Sequence, residues 1–211
     1  MIRILIADDH AIVRRGLKQI VSEQADMIVA SEAENAREVL DLVRTQKWDV
    51  VVLDINMPGR NGLEVLKELK RENPKLPVLI LSIHPEEQYG VRVLKAGAAG
   101  YLTKDSAPDE LVLAIRKVHR GGKYISASLA ETLVYELVAQ TDRPRHETLS
   151  DREYQVMTMI ASGKTVGEIG EELSLSVKTI STYRSRVLGK MNMRTNAELT
   201  QYAIQNQLLG K

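Results

Sequence analysis

Aliphatic runs and helical stripes alternate along the first 120 residues. Strands are predicted at Ile2–Ala7, Met27–Ala33, 50–53, 78–81 and 99–102, where short β-rich runs lie between polar turns. The run Val50-Val51-Val52-Leu53 has no polar alternation, the pattern of a strand buried on both faces of a parallel sheet. Helices are predicted near 11–23, 36–46, 62–72, 86–96 and 108–120. Leu63, Leu66 and Leu69 with Val65 give the third of these an apolar stripe. Pro108 followed by Asp109 and Glu110 starts the fifth, with proline and acidic residues in the first turn. Five β/α repeats imply a parallel sheet covered by helices on both sides.

Gly121-Gly122 breaks this rhythm. Residues 126–139 read as a separate helix with Leu129, Leu133, Leu137 and Val138 on one side. The polar, proline-containing stretch from Gln140 to Glu147 is the best linker in the chain. After it no strand pattern remains, and 148–207 read as four short helices. Ser150 and Glu153 form a capping-box pattern, and Ser176 and Asn196 are expected to cap later helices. The expected division is 1–120, a helical linker at 121–147, and 148–211.

Composition narrows the classes. The 211 residues have room for one or two domains, and 44% hydrophobic content supports a real core. That core must be aliphatic, because there is no Phe and only one Trp. The absence of cysteine excludes disulfides, thiolate metal sites and cysteine catalysis. No signal peptide is visible, and no apolar stretch approaches the ~18 residues of a membrane span, so a soluble, cytoplasmic protein is expected. A net charge of +1 is uninformative until the chain is divided.

The chemistry sits where the apolar runs end. Asp8 and Asp9 follow the first strand, and Asp54 closes the third, followed by Ile55, Asn56, Met57, Pro58 and Gly59. The carboxyl edge of an open α/β sheet is where ligands bind, at the switch point between neighbouring strands. Three carboxylates in one pocket repel one another unless a hard divalent cation joins them. Mg²⁺ fits, because it takes one or two carboxylates plus phosphate oxygen and water. Ser82 and Lys104 follow the fourth and fifth strands. An acceptor carboxylate, two metal carboxylates, a hydroxyl and a lysine make a coherent phosphoryl-transfer set.

These residues resemble the receiver domain of two-component response regulators over residues 1 to about 120. The resemblance implies that Asp54 accepts phosphate from a histidine kinase. It also implies that Asp9 and Asp54, with the Asn56 carbonyl, hold Mg²⁺, and that Asp8 acts through water. Ser82 and Tyr101 would form the switch pair, drawn inward on phosphorylation. Asp105 replaces the proline usual after the lysine. His10 is expected to begin the first helix and to face solvent or the pocket rim, and His84 to affect water access. Trp48 needs only a packing role.

In the C-terminal part, Thr165 to Leu173, a tight turn at Ser174 to Ser176, and Val177–Met191 read as helix, turn, helix. Drawn at ~100° per residue, Ile180, Tyr183, Val187 and Met191 share one face, expected to be core. Lys178, Ser181, Thr182, Ser185, Arg186 and Gly189 share the other, whose small polar and basic residues suit the major groove. From Ser176 to Arg194 there are five basic residues and no acidic ones, which is the footprint of phosphate contact.

The motifs Leu149-Ser150-Asp151-Arg152-Glu153, Leu173-Ser174-Leu175-Ser176 and Lys178-Thr179-Ile180 resemble the LuxR-type helix-turn-helix. The whole chain is similar to NarL/FixJ-class response regulators. That implies a flavodoxin-like (βα)5 receiver followed by an all-α four-helix DNA-binding domain. Gly167, Gly170, Ser181 and Tyr183 depart from the usual residues. Thr182, Ser185 and Arg186 are the better candidates for base edges, Lys178 and Lys190 for phosphates, and Arg184 either reaches a phosphate or pairs within the domain.

The expectation is a phosphorylation-controlled, DNA-binding transcriptional regulator, acting as a homodimer on an operator. The alternative is a regulator working by protein contact without DNA. A phosphatase with an aspartate nucleophile would want a second carboxylate two residues after Asp54, where Asn56 stands. The chain is therefore not expected to be an enzyme beyond its own phosphoryl transfer and slow dephosphorylation.

Overall fold

The computed structural model describes residues 1–57, 60–138 and 144–209, with backbone alone at 135–138. Pro58, Gly59, residues 140–143 of the linker, and the Leu137 and Val138 side chains lie outside this description. The chain forms two compact units, Met1–Ala130 and Glu131–Lys211.

The first unit alternates β1 (Ile2–Ala7), α1 (Ala11–Ser22), β2 (Met27–Ala33), α2 (Ala36–Thr45), β3 (Val50–Asp54), α3 (Gly62–Glu72), β4 (Val78–Ser82), α4 (Glu86–Lys95), β5 (Gly100–Thr103) and α5 (Ala107–His119). All strand pairs are parallel, in the order β2-β1-β3-β4-β5. β3 and β4 are buried along their whole length, as the unalternating runs required. The aliphatic core includes Ile4, Ile6, Val52, Leu79, Leu81 and Ile115. Each fully buried side chain of this kind contributes about 1.5–3 kcal/mol. Leu63, Val65, Leu66 and Leu69 are all buried, so the α3 stripe faces the core as read. Trp48 is buried and donates its indole N–H to the Leu42 carbonyl.

Two glycines allow backbones to meet. A Cβ on Gly62 would lie 2.3 Å from the Asp54 carbonyl oxygen, so α3 can start against the end of β3 only with glycine there. A Cβ on Gly100 would lie 2.5 Å from the Tyr124 carbonyl oxygen. The start of the expected linker is thus built into the first unit: Tyr124 donates to the Ala99 carbonyl and accepts from the Tyr101 N–H. In α6 (Ala127–Val138), Leu129 is buried over Gly90 of α4, Leu133 is half-buried and Val134 is exposed.

The second unit holds a 3-10 turn (Arg145–Thr148), α7 (Asp151–Ala161), α8 (Val166–Glu172), α9 (Val177–Met191) and α10 (Asn196–Gln205). The last residues of the expected linker therefore form a helical turn. Capping boxes start α7 at Ser150/Glu153 and α8 at Thr165/Glu168, and Ser176 caps α9. The cap of α10 is Thr195, not Asn196, because a third box joins Thr195 to Glu198. Tyr183 is also corrected. It is half-buried, and Leu188 joins Ile180, Val187 and Met191 on the buried stripe.

The two unusual glycines of α8 differ in surroundings. A Cβ on Gly167 would meet only the Thr165 hydroxyl, at 3.8 Å. On Gly170 it would press to 2.8 Å on the Leu175 carbonyl oxygen, across the tight turn that the Leu175 N–H closes on the Gly170 carbonyl. Gly167→Ala is therefore expected to stabilise the helical unit by up to ~1 kcal/mol. Gly170→Ala is expected to forfeit that gain and destabilise, since overpacking costs about 1–3 kcal/mol. Urea titrations of the full chain followed by circular dichroism measure both. Equal stabilisation by the two changes would show that the turn tolerates the methyl group.

Candidate functional site

β1 and β3 are neighbours, in the register Ala7 to Leu53, so the carboxylates after them meet at the point where the strand order reverses. Asp8 and Asp54 are almost wholly buried, at 1% side-chain exposure each. Lys104, from the end of β5, reaches both: its Nζ lies 2.8 Å from Asp54 Oδ2 and 2.7 Å from Asp8 Oδ2. Asp54 Oδ1 accepts from the Asn56 N–H at 3.1 Å. Asp8 Oδ1 accepts from the His10 N–H at 2.8 Å. Asp9 is more open, with His10 Nδ1 2.8 Å from its Oδ1. His10 precedes α1 with its ring largely in solvent, one of the two orientations expected for it.

Burial pushes the Asp54 carboxyl above its ordinary value; the Lys104 ammonium pulls it down, and the Asp8 charge adds to the rise. For Lys104 burial works downward, but Asp54 and Asp8 outweigh it and hold the ammonium above its ordinary value. The lysine thus keeps its charge beside the acceptor carboxyl.

One ligand atom from each of Asp8, Asp9, His10 and Asp54 falls within 4.8 Å of the others. Three of the four donors are hard carboxylate oxygens, and one side is open through Asp9. That set fits Mg²⁺, which keeps water and substrate oxygen in its shell. Asp9 and Asp54, whose oxygens fall in this cluster, are residues that could hold it, with the Asn56 carbonyl as the third ligand that the receiver resemblance implies. Asp8 itself lies directly against Lys104.

Ser82 is fully buried at the end of β4, and its hydroxyl accepts from the His84 N–H at 3.1 Å. Tyr101 is already inward, 4% exposed, donating to the His84 carbonyl at 2.7 Å. Burial holds its phenol above the ordinary range. The His84 ring contacts the Asn56 amide at 2.8 Å, across the mouth of the site.

In α9, Lys178, Ser181, Thr182, Ser185, Arg186 and Gly189 are all exposed, as the projection drew them. Thr182 and Ser185 return their hydroxyls to the Lys178 and Ser181 carbonyls, leaving a low surface. Arg184 donates to Asn196 at 2.7 Å and so pairs within the domain. Lys190 donates to Glu153 at 2.6 Å, tying α9 to the cap of α7. Burial would raise the Glu153 carboxyl, but Lys190 and the Ser150 N–H hold it below the ordinary value. A side chain the sequence reading passed over is Arg14, a charge on the buried stripe of α1 with Leu17 and Val21. Its i, i+3, i+7 spacing with two core residues was the signal.

The receiver domain of response regulators matches residues 4–116, and the LuxR family of bacterial regulatory proteins matches residues 147–203. The response regulator UvrY of Escherichia coli is 39% identical over 210 residues, covering 99% of this chain and 96% of UvrY. The chain is a response regulator of the NarL/FixJ class. Among solved structures it is similar to RcsB of Salmonella enterica bound to promoter P1flhDC with the phosphomimetic BeF3-. That match has a TM-score of 0.64 and 25% identity, over 95% of this chain and 97% of RcsB. Two RcsB dimers on two parallel DNAs match with a TM-score of 0.59 and 26% identity, over 96% of this chain and 98% of that one. The response regulator therefore joins a receiver sheet to a LuxR-type DNA-binding domain. Among its described residues no helix is long and apolar enough to cross a membrane.

Proposed function

We propose that this response regulator is switched by phosphorylation of Asp54 and reads an operator with α9. The observation that carries the reading is the convergence of Lys104 on Asp54 and Asp8 beside Asp9 at the sheet's switch point. A carboxylate oxygen of Asp54 attacks the phosphorus of a phosphohistidine on a histidine kinase, or of acetyl phosphate. The P–N or P–O bond to the donor breaks, leaving an acyl phosphate on Asp54. Mg²⁺, when bound, supplies positive charge to the phosphoryl oxygens. Lys104 releases Asp54 and neutralises one of those oxygens, and the Ser82 hydroxyl is placed to donate to another. Tyr101, packed behind Ser82, carries the change to the β5 edge.

Dimerisation and DNA binding follow the family: RcsB is found as dimers on DNA. A lone helix-turn-helix module contacts one half-site, so two chains on a two-fold operator are the proposed active form. Ser181, Thr182, Ser185 and Arg186 are the proposed readers of base edges, and Lys178 serves phosphates. Lys190 serves phosphates only by leaving Glu153.

Competition titrations at several salt concentrations test the DNA reading. Arg186→Ala is expected to narrow the gap between specific and random DNA by about 1–3 kcal/mol. Lys178→Ala is expected to weaken both equally and flatten the salt slope by about one unit. Equal loss on both DNAs for Arg186→Ala would rotate the recognition face. No salt-dependent binding of any DNA by the parent chain would favour a regulator acting through protein contacts.

A further inference from the structure

Arg14 is a buried charge that the phosphoryl chemistry above does not use. Its side chain is 8% exposed and stands on the apolar stripe of α1, where an unpaired guanidinium would be prohibitive. Three acceptors offset that cost. Nη1 donates to the backbone carbonyl of Asp8 at 2.8 Å, Nε lies 3.3 Å from Glu32 Oε2, and Nη2 pairs with Glu34. Glu32 is held below its ordinary value by Lys18, against its own burial, with Arg14 adding to the effect, so the pair is ionic.

The Asp8 carbonyl is the group at stake. The β1–β2 pairing ends at Ala7 and Ala33, and the Asp8 N–H makes the last rung, to the Ala33 carbonyl. Beyond it the Asp8 carbonyl has Arg14 as its donor. A peptide unit is planar, so the direction of the Asp8 carbonyl also sets where the Asp9 Cα emerges. Asp9, unlike Asp8 and Asp54, has no lysine on it; its contact is the exposed His10 ring.

We infer that Arg14 is a positioning residue for the divalent-cation site: by gripping the Asp8 carbonyl and bracing on Glu32 and Glu34, it orients the Asp8–Asp9 peptide so that the Asp9 carboxylate faces Asp54. This deepens the proposed function and rests on its reading of the acidic pocket. The fork geometry matters as much as the charge, because an ammonium cannot span the carbonyl and both glutamates in one plane.

The test is direct Mg²⁺ titration by calorimetry of the full chain, alongside the Mg²⁺ dependence of labelling by acetyl phosphate. Arg14→Lys, which keeps the charge, is expected to raise the Mg²⁺ Kd about tenfold or more, the usual effect of losing an outer-shell partner. The labelling rate at saturating Mg²⁺ should stay near that of the parent, since binding and not the nucleophile is affected. Glu34→Gln, at a side chain 63% exposed, perturbs the brace without threatening the fold and should raise Kd in the same direction by less. A folded Arg14→Lys with lowered melting temperature and unchanged Kd would make Arg14 merely structural and overturn the inference. Should Arg14→Lys fail to fold, an unchanged Kd in Glu34→Gln overturns it. A parent chain that neither binds Mg²⁺ nor needs it for labelling would overturn the acidic-pocket reading itself, a result distinct from either.

Discussion

Asp54→Asn is expected to reduce acid-labile incorporation from acetyl phosphate to background with Mg²⁺ present. The change removes the one carboxylate that closes β3 while keeping its volume and its acceptor for the Asn56 N–H. An amide oxygen is too weak a nucleophile to form the acyl phosphate. The fold should survive, because burial already disfavours the Asp54 charge, and Lys104 keeps Asp8 as a counterion at 2.7 Å. Mass spectrometry after hydroxylamine trapping locates the label. Undiminished labelling, or labelling moved to Asp8 or Asp9, would refute Asp54 as the acceptor.

Removing the metal side of the pocket should be nearly as severe. Asp9→Ala is expected to label at the slow rate the parent shows in EDTA, whatever the Mg²⁺ concentration. The variant also makes a thermodynamic crossing visible. Mg²⁺ at about a hundredfold its Kd should stabilise the parent by about 2.7 kcal/mol and leave Asp9→Ala unmoved. Without Mg²⁺ the order should level or reverse, because Asp9→Ala removes one of three mutually repelling carboxylates. Thermal melts with and without Mg²⁺ measure this. Equal Mg²⁺ stabilisation of both proteins would place the cation away from Asp9.

The receiver sheet was legible because each of its strands is coded locally. The unbroken run at 50–53 needs no partner to be read as doubly buried, and β3 extends it by one residue, to Asp54. The exposed face of α9 was legible for the same reason, as a helix repeats its own geometry. Errors arose where two local signals competed or where a stripe had an undetermined width. Thr195-Asn196-Ala197-Glu198 offers two cap residues, and the capping box decides for Thr195. Tyr183 sits at the margin of its stripe, where the packing of neighbouring helices sets how far burial reaches.

The roles of Arg14 and Lys190 were hidden for a different reason. The stripe that Arg14 shares with Leu17 and Val21 marks it as buried but not what it binds, Lys190 looks like an ordinary helical charge, and each meets its partner far along the chain: Arg14 meets glutamates 18 and 20 residues away, Lys190 a capping glutamate 37 away.

By itself the sequence determined the alternation of strands and helices, the division into a sheet-containing part and a helical part, and the order in which Asp8, Asp9, Asp54, Ser82 and Lys104 end their strands. Those are properties of neighbours within a few residues, written in periodicity and caps. Only the tertiary structure decided that β1 lies beside β3, that one lysine spans both buried carboxylates across 50 residues of chain from Asp54, and that an arginine grips the Asp8 carbonyl. Such contacts depend on how the crossover helices pack against the sheet and on where each strand's ladder of hydrogen bonds stops, which no single stretch of the chain encodes.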